Sequence, residues 1–289
     1  MVEKGGPPLS LDPQRVEALL EAIEEAAGGN FSVRFPVSEA HDDVDAIGYA
    51  VNIMAEELQD TIARLEATNQ ELAEFVYAAS HDLKAPLRSI GACADFLRED
   101  LKGSLEAEQE GYLNNISQLV RRGQNLIDDL LHYTQVGQTT PQARDISLSE
   151  LVATLTEVLA DDIDVQVQEG LPKLKCDLVL LTQILDNLIA NASKYSRADR
   201  KRVEIGSTLA GDQLRLFVRD NGIGIESRHH ERIFRLFQRL HGQEEFGGSG
   251  IGLAIVRKAA SRLGGSVEVE SELGQGSTFW VSLPRDLLA

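Results

Sequence analysis

The chain has 289 residues, enough for two or three domains, and its 28 basic and 46 acidic residues give a net charge of −18 at pH 7, which disfavours nucleic acid as a partner. Two isolated cysteines, Cys93 and Cys176, lack metal-ligand spacing and indicate free thiols in a reducing compartment. Because no apolar run approaches the ~20 residues of a membrane-spanning helix, we expect no membrane span in this chain and a cytoplasmic location.

The first 58 residues predict two short helices joined by an extended connector. The first helix begins near Pro13, since proline suits the first helical turn, and it ends at Gly28 and Gly29. The connector carries alternating apolar residues, and the second helix starts around residues 43–45. Neither helix can bury its apolar face alone, so we expect a parallel helical bundle in a homodimer.

Residues 1–58 resemble a HAMP signal-relay domain. The features that carry the resemblance are the glycine break, the apolar connector and two short segments of the second helix, Asp45-Ala46-Ile47-Gly48 and Asn52-Ile53-Met54. The alternative is a generic dimeric helical pair without a relay role.

A seven-residue apolar spacing then continues into one long helix, through Val51, Leu58, Leu65, Leu72 and Ala79. A helix of this length needs a partner strand, so the spacing predicts a coiled coil. Two threonines, Thr61 and Thr68, occupy the other core position and weaken the seam. A weak, continuous coil suits the transmission of rotation or register changes along its length, and a plain spacer is the alternative.

His81 lies two residues beyond a seam position of this coil and is therefore predicted to face solvent, with Asp82 beside it. Pro86 removes an amide donor and is expected to bend the helix just after the histidine. An exposed imidazole beside a carboxylate is a candidate nucleophile. This segment alone is equally compatible with an ordinary surface histidine.

The long helix fades near residues 102–104, and a return helix is predicted from about residue 106 to residue 136. Its inward side chains are expected to be Leu113, Ile116, Val120, Ile127, Leu130 and Tyr133. Two such hairpins form a four-helix bundle, so residues 59–137 are interpreted as a coiled coil and dimerisation hairpin. The polar residues 138–144, which contain glycine and proline, are interpreted as a linker.

Residues 145–289 alternate helices and strands in a pattern typical of an α/β sandwich, with helices on one face of a largely antiparallel sheet. The expected helices lie at residues 147–160, 178–195 and 252–263. The expected strands lie at residues 164–168, 202–209, 213–220, 265–271 and 277–284. The whole chain is thus predicted to be a multidomain α and α+β protein.

Four polar residues of the long helix in this part are candidate ligand contacts. Asn187 and Asn191 lie four residues apart and so share one helical face, and Lys194 and Tyr195 follow them. Neutral carboxamide oxygens beside a cation suit a site for Mg²⁺ and phosphate, because they add no negative charge near a triphosphate. Surface asparagines without a ligand are the alternative.

Asp220 ends a predicted strand and is followed by Gly222 and Gly224. A buried carboxylate accepts a hydrogen bond from an exocyclic amine. Adenine offers such an amine, whereas guanine presents a carbonyl oxygen that the carboxylate would repel, so Asp220 predicts adenine selectivity. The glycines allow the backbone to approach the base and sugar closely.

The glycine-rich residues 247–253 open a helix, a place where backbone amides bind phosphates. The candidates in this segment are Gly248, Gly250, Gly252 and Leu253. The segment lacks the lysine of a P-loop and lies outside a parallel βαβ series. Residues 225–246 predict a lid over a nucleotide, and Thr278, in a glycine turn, is a further candidate nucleotide contact.

Taken in order, these segments resemble the motifs of a sensor histidine kinase of a two-component system, in its phytochrome-like branch. The matching segments are SHDLKAPLRSI (H-box), LDNLIANASKY (N-box), DNGIGI (first G-box), IFRLFQRL (F-box) and GGSGIGLAI (second G-box). The resemblance covers about residues 60 to 285. It implies a dimerisation and phosphoacceptor hairpin joined to an ATP-binding domain of the gyrase, heat-shock-chaperone and mismatch-repair ATPase fold.

The resemblance implies that His81 attacks the γ-phosphorus of ATP, while Asp82 orients the ring and accepts its proton. Asn191, assisted by Asn187, would hold Mg²⁺, and Lys194 with the amides of residues 248–253 would neutralise phosphate charge. The phosphoryl group would pass to an aspartate of a response regulator. An upstream sensor domain or partner would supply the signal.

Ala85 departs from the family pattern, in which many members carry Thr or Asn four residues after the histidine to orient water for dephosphorylation of the regulator. This departure weakens the prediction of phosphatase activity. Two alternatives to an autokinase remain, an ATP-binding pseudokinase scaffold and an ATPase of the gyrase or chaperone type. The second leaves the helical hairpin and His81 unexplained.

Overall fold

The computed structural model describes residues 12–38, 42–136, 142–157, 159, 163–196, 201–240 and 248–289. The chain divides into two units, residues 1–72 and residues 73–289, and one long helix contributes to both. None of the described helices is long and apolar enough to cross a membrane.

In the first unit, helix α1 spans Pro13–Ala27. Helix α2 spans Asp43–Asp100, and its first part belongs to this unit. Asp12 caps α1 by accepting a hydrogen bond from an amide of the first turn at 3.1 Å. The small core of this unit consists of Leu19, Ala22, Phe35 and Val44. The Phe35 ring lies against Gly48, where a Cβ would overlap it. The predicted helix, connector and second helix are confirmed.

Two polar side chains of α2 hold the connector in register. Asn52 accepts a hydrogen bond from the Phe35 amide at 2.8 Å and donates one to the Phe35 carbonyl at 2.9 Å. Asp45 accepts from the Ser38 amide at 2.7 Å, from the Ser38 hydroxyl at 2.8 Å and from Arg15 at 2.5 Å. These donors, led by the Ser38 amide, lower the pKa of Asp45 to about 2.

In the second unit, α2 continues as helix through Pro86, and helix α3, Ala107–Gln135, forms the return arm of a hairpin. A glycine of α3 allows the two helices to approach closely, because a Cβ at Gly123 would lie only 3.1 Å from the Leu87 side chain. The predicted hairpin is confirmed, with α3 within one residue of its expected ends.

The apolar side chains of α2 and α3 divide between packed and exposed positions. Of the inward residues predicted on α3, Leu113 and Val120 are buried within the single chain, whereas Ile116 is 38% exposed there, so its inward position stays a prediction for the bundle of two hairpins. The seam residues Leu65 and Leu72 of α2 are 59% and 58% exposed. These side chains are available to a second copy of the chain in the predicted homodimer.

The rest of the second unit contains two sheets. The smaller one pairs β1 (Ala143–Ser147) antiparallel with β3 (Lys173–Asp177). The strands of the larger sheet are β2 (Ile163–Val167), β4 (Lys201–Ala210), β5 (Gln213–Asp220), β6 (Ser266–Glu272) and β7 (Gly276–Pro284). Their order is β2, β4, β5, β7, β6, in which β2 and β4 run parallel and all other neighbours run antiparallel.

The small sheet was not predicted from the sequence. Its strands have five residues each and contain charged side chains, so neither offers a long apolar alternation. β1 begins at Ala143, inside the segment predicted to be a linker, and residues 138–141 of that segment lie outside the described residues.

Two helices cover one face of the five-stranded sheet, α5 (Leu178–Lys194) and α6 (Gly252–Arg262), while α4 (Leu148–Thr156) packs against α5. Alternate residues of β5 point to that face and are buried: Leu214, Leu216 and Val218. Asp220 continues this row at the end of the strand. The predicted α/β sandwich is confirmed. The Asp220 carboxylate lies at the edge of its apolar core.

Candidate functional site

A cavity lies between the end of β5, the C-terminal half of α5, residues 223–240 and the start of α6. Its lining residues are Asn191, Tyr195, Asp220, Ile223, Gly224, Ile225, Ile233, Gln238, Arg239, Leu240, Leu253, Ser277 and Phe279. The fold therefore brings together five residues that the sequence predicted as nucleotide contacts, namely Asn191, Tyr195, Asp220, Gly224 and Leu253.

Asp220 supplies the only carboxylate among the described residues that line the cavity, and it is 8% exposed. Its Oδ1 accepts hydrogen bonds from the Gly222 amide at 2.8 Å and from the Ser277 amide at 3.2 Å. Burial raises the pKa of Asp220 to about 6, against the lowering effect of these two bonds. Because both main-chain donors go to Oδ1, Oδ2 is the oxygen that can accept from a ligand.

Apolar side chains form the walls beside this carboxylate: Ile223, Ile225, Ile233, Leu253 and Phe279. The Phe279 ring is held edge-on by Phe234, with the ring centroids 6.4 Å apart. An apolar slot that ends in one hydrogen-bond acceptor suits a flat heteroaromatic ring with an exocyclic amine.

Gly224 lets the loop after β5 turn closely past the last strands of the sheet. Its φ of 68° lies in the left-handed region, and a Cβ there would overlap the carbonyl oxygen of Glu272. The neighbouring Ile223 carbonyl accepts a hydrogen bond from the Gly274 amide at 2.7 Å. A side chain at position 224 would therefore push this loop away and deform the cavity wall.

Two carboxamides of α5 face the same end of the site. Asn191 lines the cavity, and Asn187 lies one helical turn before it. The Asn187 Nδ2 donates to the Gln183 carbonyl at 2.8 Å, which leaves its Oδ1 turned toward α6. A Cβ at Gly252 would lie 2.6 Å from that oxygen. The carboxamide of Asn187 thus lies directly against the beginning of α6.

Lys194 brings a positive charge to the glycine-rich segment that precedes α6. Its ammonium group lies against Gly248 and 4.9 Å from the ring centroid of Tyr195. Burial, with repulsion from Arg239 as the second cause, lowers the pKa of Lys194. The predicted Gly250 and Gly252 lie in the same stretch of backbone. A cation beside a helix N-terminus favours an anionic ligand.

Thr278, a predicted nucleotide contact, does not line the cavity. Its hydroxyl accepts a hydrogen bond from the Arg219 Nε at 3.1 Å on the other face of β7. The neighbouring Ser277 lines the cavity and donates its amide to Asp220. Side chains of successive strand residues point to opposite faces of the sheet. Ser277 therefore faces the cavity, and Thr278, the next residue, faces the other side.

Three residues that line the cavity were not predicted from the sequence: Gln238, Arg239 and Leu240. They belong to the segment that the sequence predicted as a lid, but its polar composition gave no signal for which side chains turn toward the cavity. The last part of that segment, residues 241–246, lies outside the described residues.

His81 and Asp82 are not part of the cavity lining and stand on α2 of the hairpin. Their side chains are 74% and 85% exposed, which confirms the predicted solvent-facing position of His81. The His81 Nδ1 lies 3.4 Å from the Asp82 Oδ1. When Nδ1 carries the proton and donates it to the carboxylate, Nε2 keeps its lone pair and points away from Asp82.

Two family models match the chain. Residues 71–139 match the His Kinase A (phospho-acceptor) domain, and residues 176–287 match the histidine kinase-, DNA gyrase B-, and HSP90-like ATPase. The first match contains His81, and the second contains every residue that lines the cavity and the whole glycine-rich segment.

Longer proteins carry a region similar to this chain. Cyanobacterial phytochrome B of Nostoc sp. strain PCC 7120 is 40% identical over 237 residues, which cover 79% of this chain and 31% of the relative. The methanogenesis regulatory histidine kinase FilI of Methanothrix harundinacea strain 6Ac is 36% identical over 235 residues, which cover 79% and 26%. The chain therefore spans about a third or less of the length of these relatives.

A solved structure shares the fold over most of the chain. The crystal structure of full-length ShkA in complex with AMPPNP aligns with a TM-score of 0.56 and 28% identity. The alignment covers 73% of this chain and 45% of that one.

Proposed function

We propose, from the premise that this chain belongs to the sensor histidine kinase family, that it is an autokinase that transfers the γ-phosphoryl group of ATP to His81. The phosphoryl group then passes to an aspartate of a response regulator. The observation that carries the proposal is the exposed His81–Asp82 pair, present in the same chain as a cavity that suits adenine.

The proposed domains are a HAMP-like relay, a coiled coil with the phosphoacceptor hairpin, a linker and a catalytic domain, at residues 1–58, 59–137, 138–144 and 145–289. The clamp that Asp45, Gly48 and Asn52 form on the connector supports the relay assignment. The exposed seam leucines of α2 support a homodimer, since burial of such side chains is favourable. The signal comes from an upstream sensor domain or partner.

Asp220 gives the site its preference for adenine. Its Oδ2 accepts a hydrogen bond from the exocyclic amine of adenine, while the apolar walls contact the ring faces. Guanine would direct a carbonyl oxygen at the same carboxylate. Two acceptors facing each other in a buried site repel, so guanine nucleotides bind weakly.

The donors at the other end of the site fit Mg²⁺. Asn191 and Asn187 offer neutral oxygens, and the Asn187 Oδ1 is already turned away from its own helix. Asn191, assisted by Asn187, would hold the ion, which supplies positive charge to the phosphoryl group in transfer. Lys194 and the amides of residues 248–253 bind the phosphate oxygens.

The transfer forms a bond between the His81 Nε2 and the γ-phosphorus and breaks the bond from that phosphorus to the β,γ-bridging oxygen, so that ADP leaves. The ring then loses its Nδ1 proton to Asp82. Asp82 therefore has two roles, since it first orients the imidazole and then accepts its proton. The remaining catalysis is positioning and charge stabilisation.

Ala85 lies one helical turn after His81 and is exposed. A methyl group cannot orient a water molecule by hydrogen bonding. We therefore propose that the protein acts on its regulator mainly as a kinase, with little phosphatase activity.

The test is incubation of the whole chain with γ-labelled ATP and Mg²⁺, beside His81→Gln and His132→Gln. His132 is an exposed histidine of the same hairpin and serves as the matched control. We expect a label that is lost in acid and kept in base on the native chain and on the control, and no label on His81→Gln.

Three other outcomes would each reject the proposal. Label that persists in His81→Gln would place the acceptor elsewhere. ATP binding without label on the native chain would indicate a pseudokinase scaffold. Steady ATP hydrolysis that is unaffected by His81→Gln would indicate an ATPase of the gyrase or chaperone type.

A further inference from the structure

A second cavity lies where α3 of the hairpin meets the glycine-rich segment of the catalytic domain. Its lining includes Arg121, Arg122 and Asn125 of α3, and Arg239, Gly248 and Ser249 from the catalytic domain.

This cavity adjoins the phosphate end of the nucleotide site. Arg239 lines both cavities, and Gly248 is the residue against which the Lys194 ammonium lies. Asp129 of α3 attracts the Lys194 ammonium and raises its pKa, which partly offsets the lowering by burial. Both observations place α3 beside the end of the site where the terminal phosphate is expected.

The positive charges that line this cavity favour the binding of an anion. Three guanidinium groups line it, and like charges held close together repel. Of the described residues that line the cavity, none is acidic. Arg121 and Arg239 form no ion pair with a described residue, whereas Arg122 has a further contact of its own. In a chain of net charge −18, such a basic cluster is a local exception.

A separate contact holds α3 against the catalytic domain. The Lys258 ammonium of α6 donates to the Tyr133 carbonyl at 2.7 Å and lies 4.4 Å from the centroid of the Tyr133 ring. This contact fixes the face of α3 that turns toward the glycine-rich segment. The position of Arg121 therefore depends on docking as well as on the hairpin.

We propose that Arg121 and Arg239 form an anion subsite for the terminal phosphate of the bound nucleotide, so that the hairpin itself takes part in nucleotide binding. This inference rests on the proposed function, because it concerns the same nucleotide. Guanidinium groups bind phosphate oxygens through paired hydrogen bonds of fixed geometry. A triphosphate reaches the subsite, whereas a monophosphate ends before it.

The test compares the binding of AMPPNP and of AMP, each with Mg²⁺, by calorimetry on the whole chain. Arg121→Gln should raise the Kd for AMPPNP by roughly threefold to tenfold, the range for one charge-assisted contact that is partly exposed, and should leave the Kd for AMP unchanged. Arg121→Lys should recover part of the loss. Arg64→Gln makes the same charge change at an exposed position of α2 and should behave as the native chain.

Docking can be tested in the same assay with Lys258→Met, which keeps the apolar stem of the side chain and removes the ammonium group. In that background the effect of Arg121→Gln should shrink, since α3 is no longer held beside Gly248. An undiminished effect would show that the docked position of α3 is not its source.

The outcomes separate the inference from the proposed function. If Arg121→Gln weakens the binding of AMPPNP and of AMP equally, or weakens neither, the anion subsite is overturned. The proposed adenine site is not affected by that result. A native chain that binds neither ligand would overturn both.

Discussion

Two buried aspartates, one in each unit of the chain, have opposite electrostatic properties. Asp45 is 3% exposed and Asp220 is 8% exposed, yet the pKa of Asp45 is lowered to about 2 and that of Asp220 is raised to about 6. Asp45 accepts from two groups of Ser38 and from Arg15, whereas Asp220 has only two amide donors, both at Oδ1. A carboxylate that is saturated by its own fold serves structure, and one left with a vacant oxygen can serve a ligand.

The surroundings of the two residues explain this difference. Among the described residues of the first unit, the apolar core has only four buried side chains, so its connector depends on polar clamps from α2 for its register. The catalytic domain has a large apolar core between its sheet and two helices. The stability of this core offsets the cost of burying the Asp220 charge at its edge.

The largest expected effect comes from Asp220→Asn. The Asn carbonyl can keep the two main-chain donors, but its NH₂ group then faces the amine of adenine. We expect ADP affinity to fall by about tenfold to a hundredfold, the range for the loss of a hydrogen bond to a charged group. Calorimetry with ADP and GDP measures this change, and the preference for adenine over guanine should narrow.

The same substitution should stabilise the catalytic domain without nucleotide. The raised pKa of Asp220 means that its charge destabilises the folded state at neutral pH, by on the order of 3 kcal/mol. Asp212→Asn, in the exposed turn after β4, is the matched control and should change neither affinity nor melting temperature. Unchanged ADP binding in Asp220→Asn would remove Asp220 from the site.

The second effect is a pH dependence of ADP affinity that Asp220 should confer. As the pH falls through about 6, the Asp220 carboxylate is protonated and becomes a weaker acceptor. ADP affinity should be nearly constant above pH 7 and should fall by about tenfold between pH 7 and pH 5, in proportion to the ionised fraction. The stability of the nucleotide-free domain should change in the opposite direction, because protonation removes the buried charge.

Titration of ADP itself contributes to such a profile, so the measurement is the difference between the native chain and Asp220→Asn. The tenfold step should be absent from the variant. A step of equal size in both proteins would assign the pH dependence to the nucleotide instead.

A smaller effect, confined to the first unit, is expected from Asp45→Asn. The lowered pKa of Asp45 means that its ionised form stabilises the fold above pH 3.8, and that this stabilisation is lost as the pH falls through about 2. At neutral pH the variant should exchange the connector amides of Phe35 and Ser38 with solvent several-fold faster, as hydrogen exchange can measure.

Asp43→Asn, on an exposed position of the same helix, is the control and should leave this exchange unchanged. ADP affinity should be the same in both variants. Loss of ADP binding in Asp45→Asn alone would contradict the division of roles between the two aspartates.

The smallest effect is expected from Thr278→Ala, which should leave ADP affinity within about twofold of the native value, because Thr278 does not line the cavity. Its hydroxyl faces Arg219 on the outer face of the sheet. Ser277→Ala should also retain binding, because Ser277 reaches Asp220 through its main-chain amide. A large loss in Thr278→Ala, measured by the same calorimetry, would place the nucleotide on the other face.

Local patterns in the sequence predicted most of the fold. Proline and glycine marked the ends of α1, helical periodicity marked the hairpin, and local patterns marked all five strands of the larger sheet to within one residue. The short strands β1 and β3 carried too few apolar residues for such a pattern. The relay and coiled-coil assignments remain predictions.

By itself the sequence determined which kinds of residue are present and in what order, including an exposed histidine–aspartate pair, two asparagines one turn apart and a strand that ends in Asp220. These features depend on neighbours within a few positions, and local periodicity is enough to reveal them. Only the tertiary structure decided that Ser277 and not Thr278 lines the cavity, and that Arg121 of α3 lines the same second cavity as Gly248. Strand register and helix docking are set by packing between elements that are distant in the chain, and no local pattern encodes them.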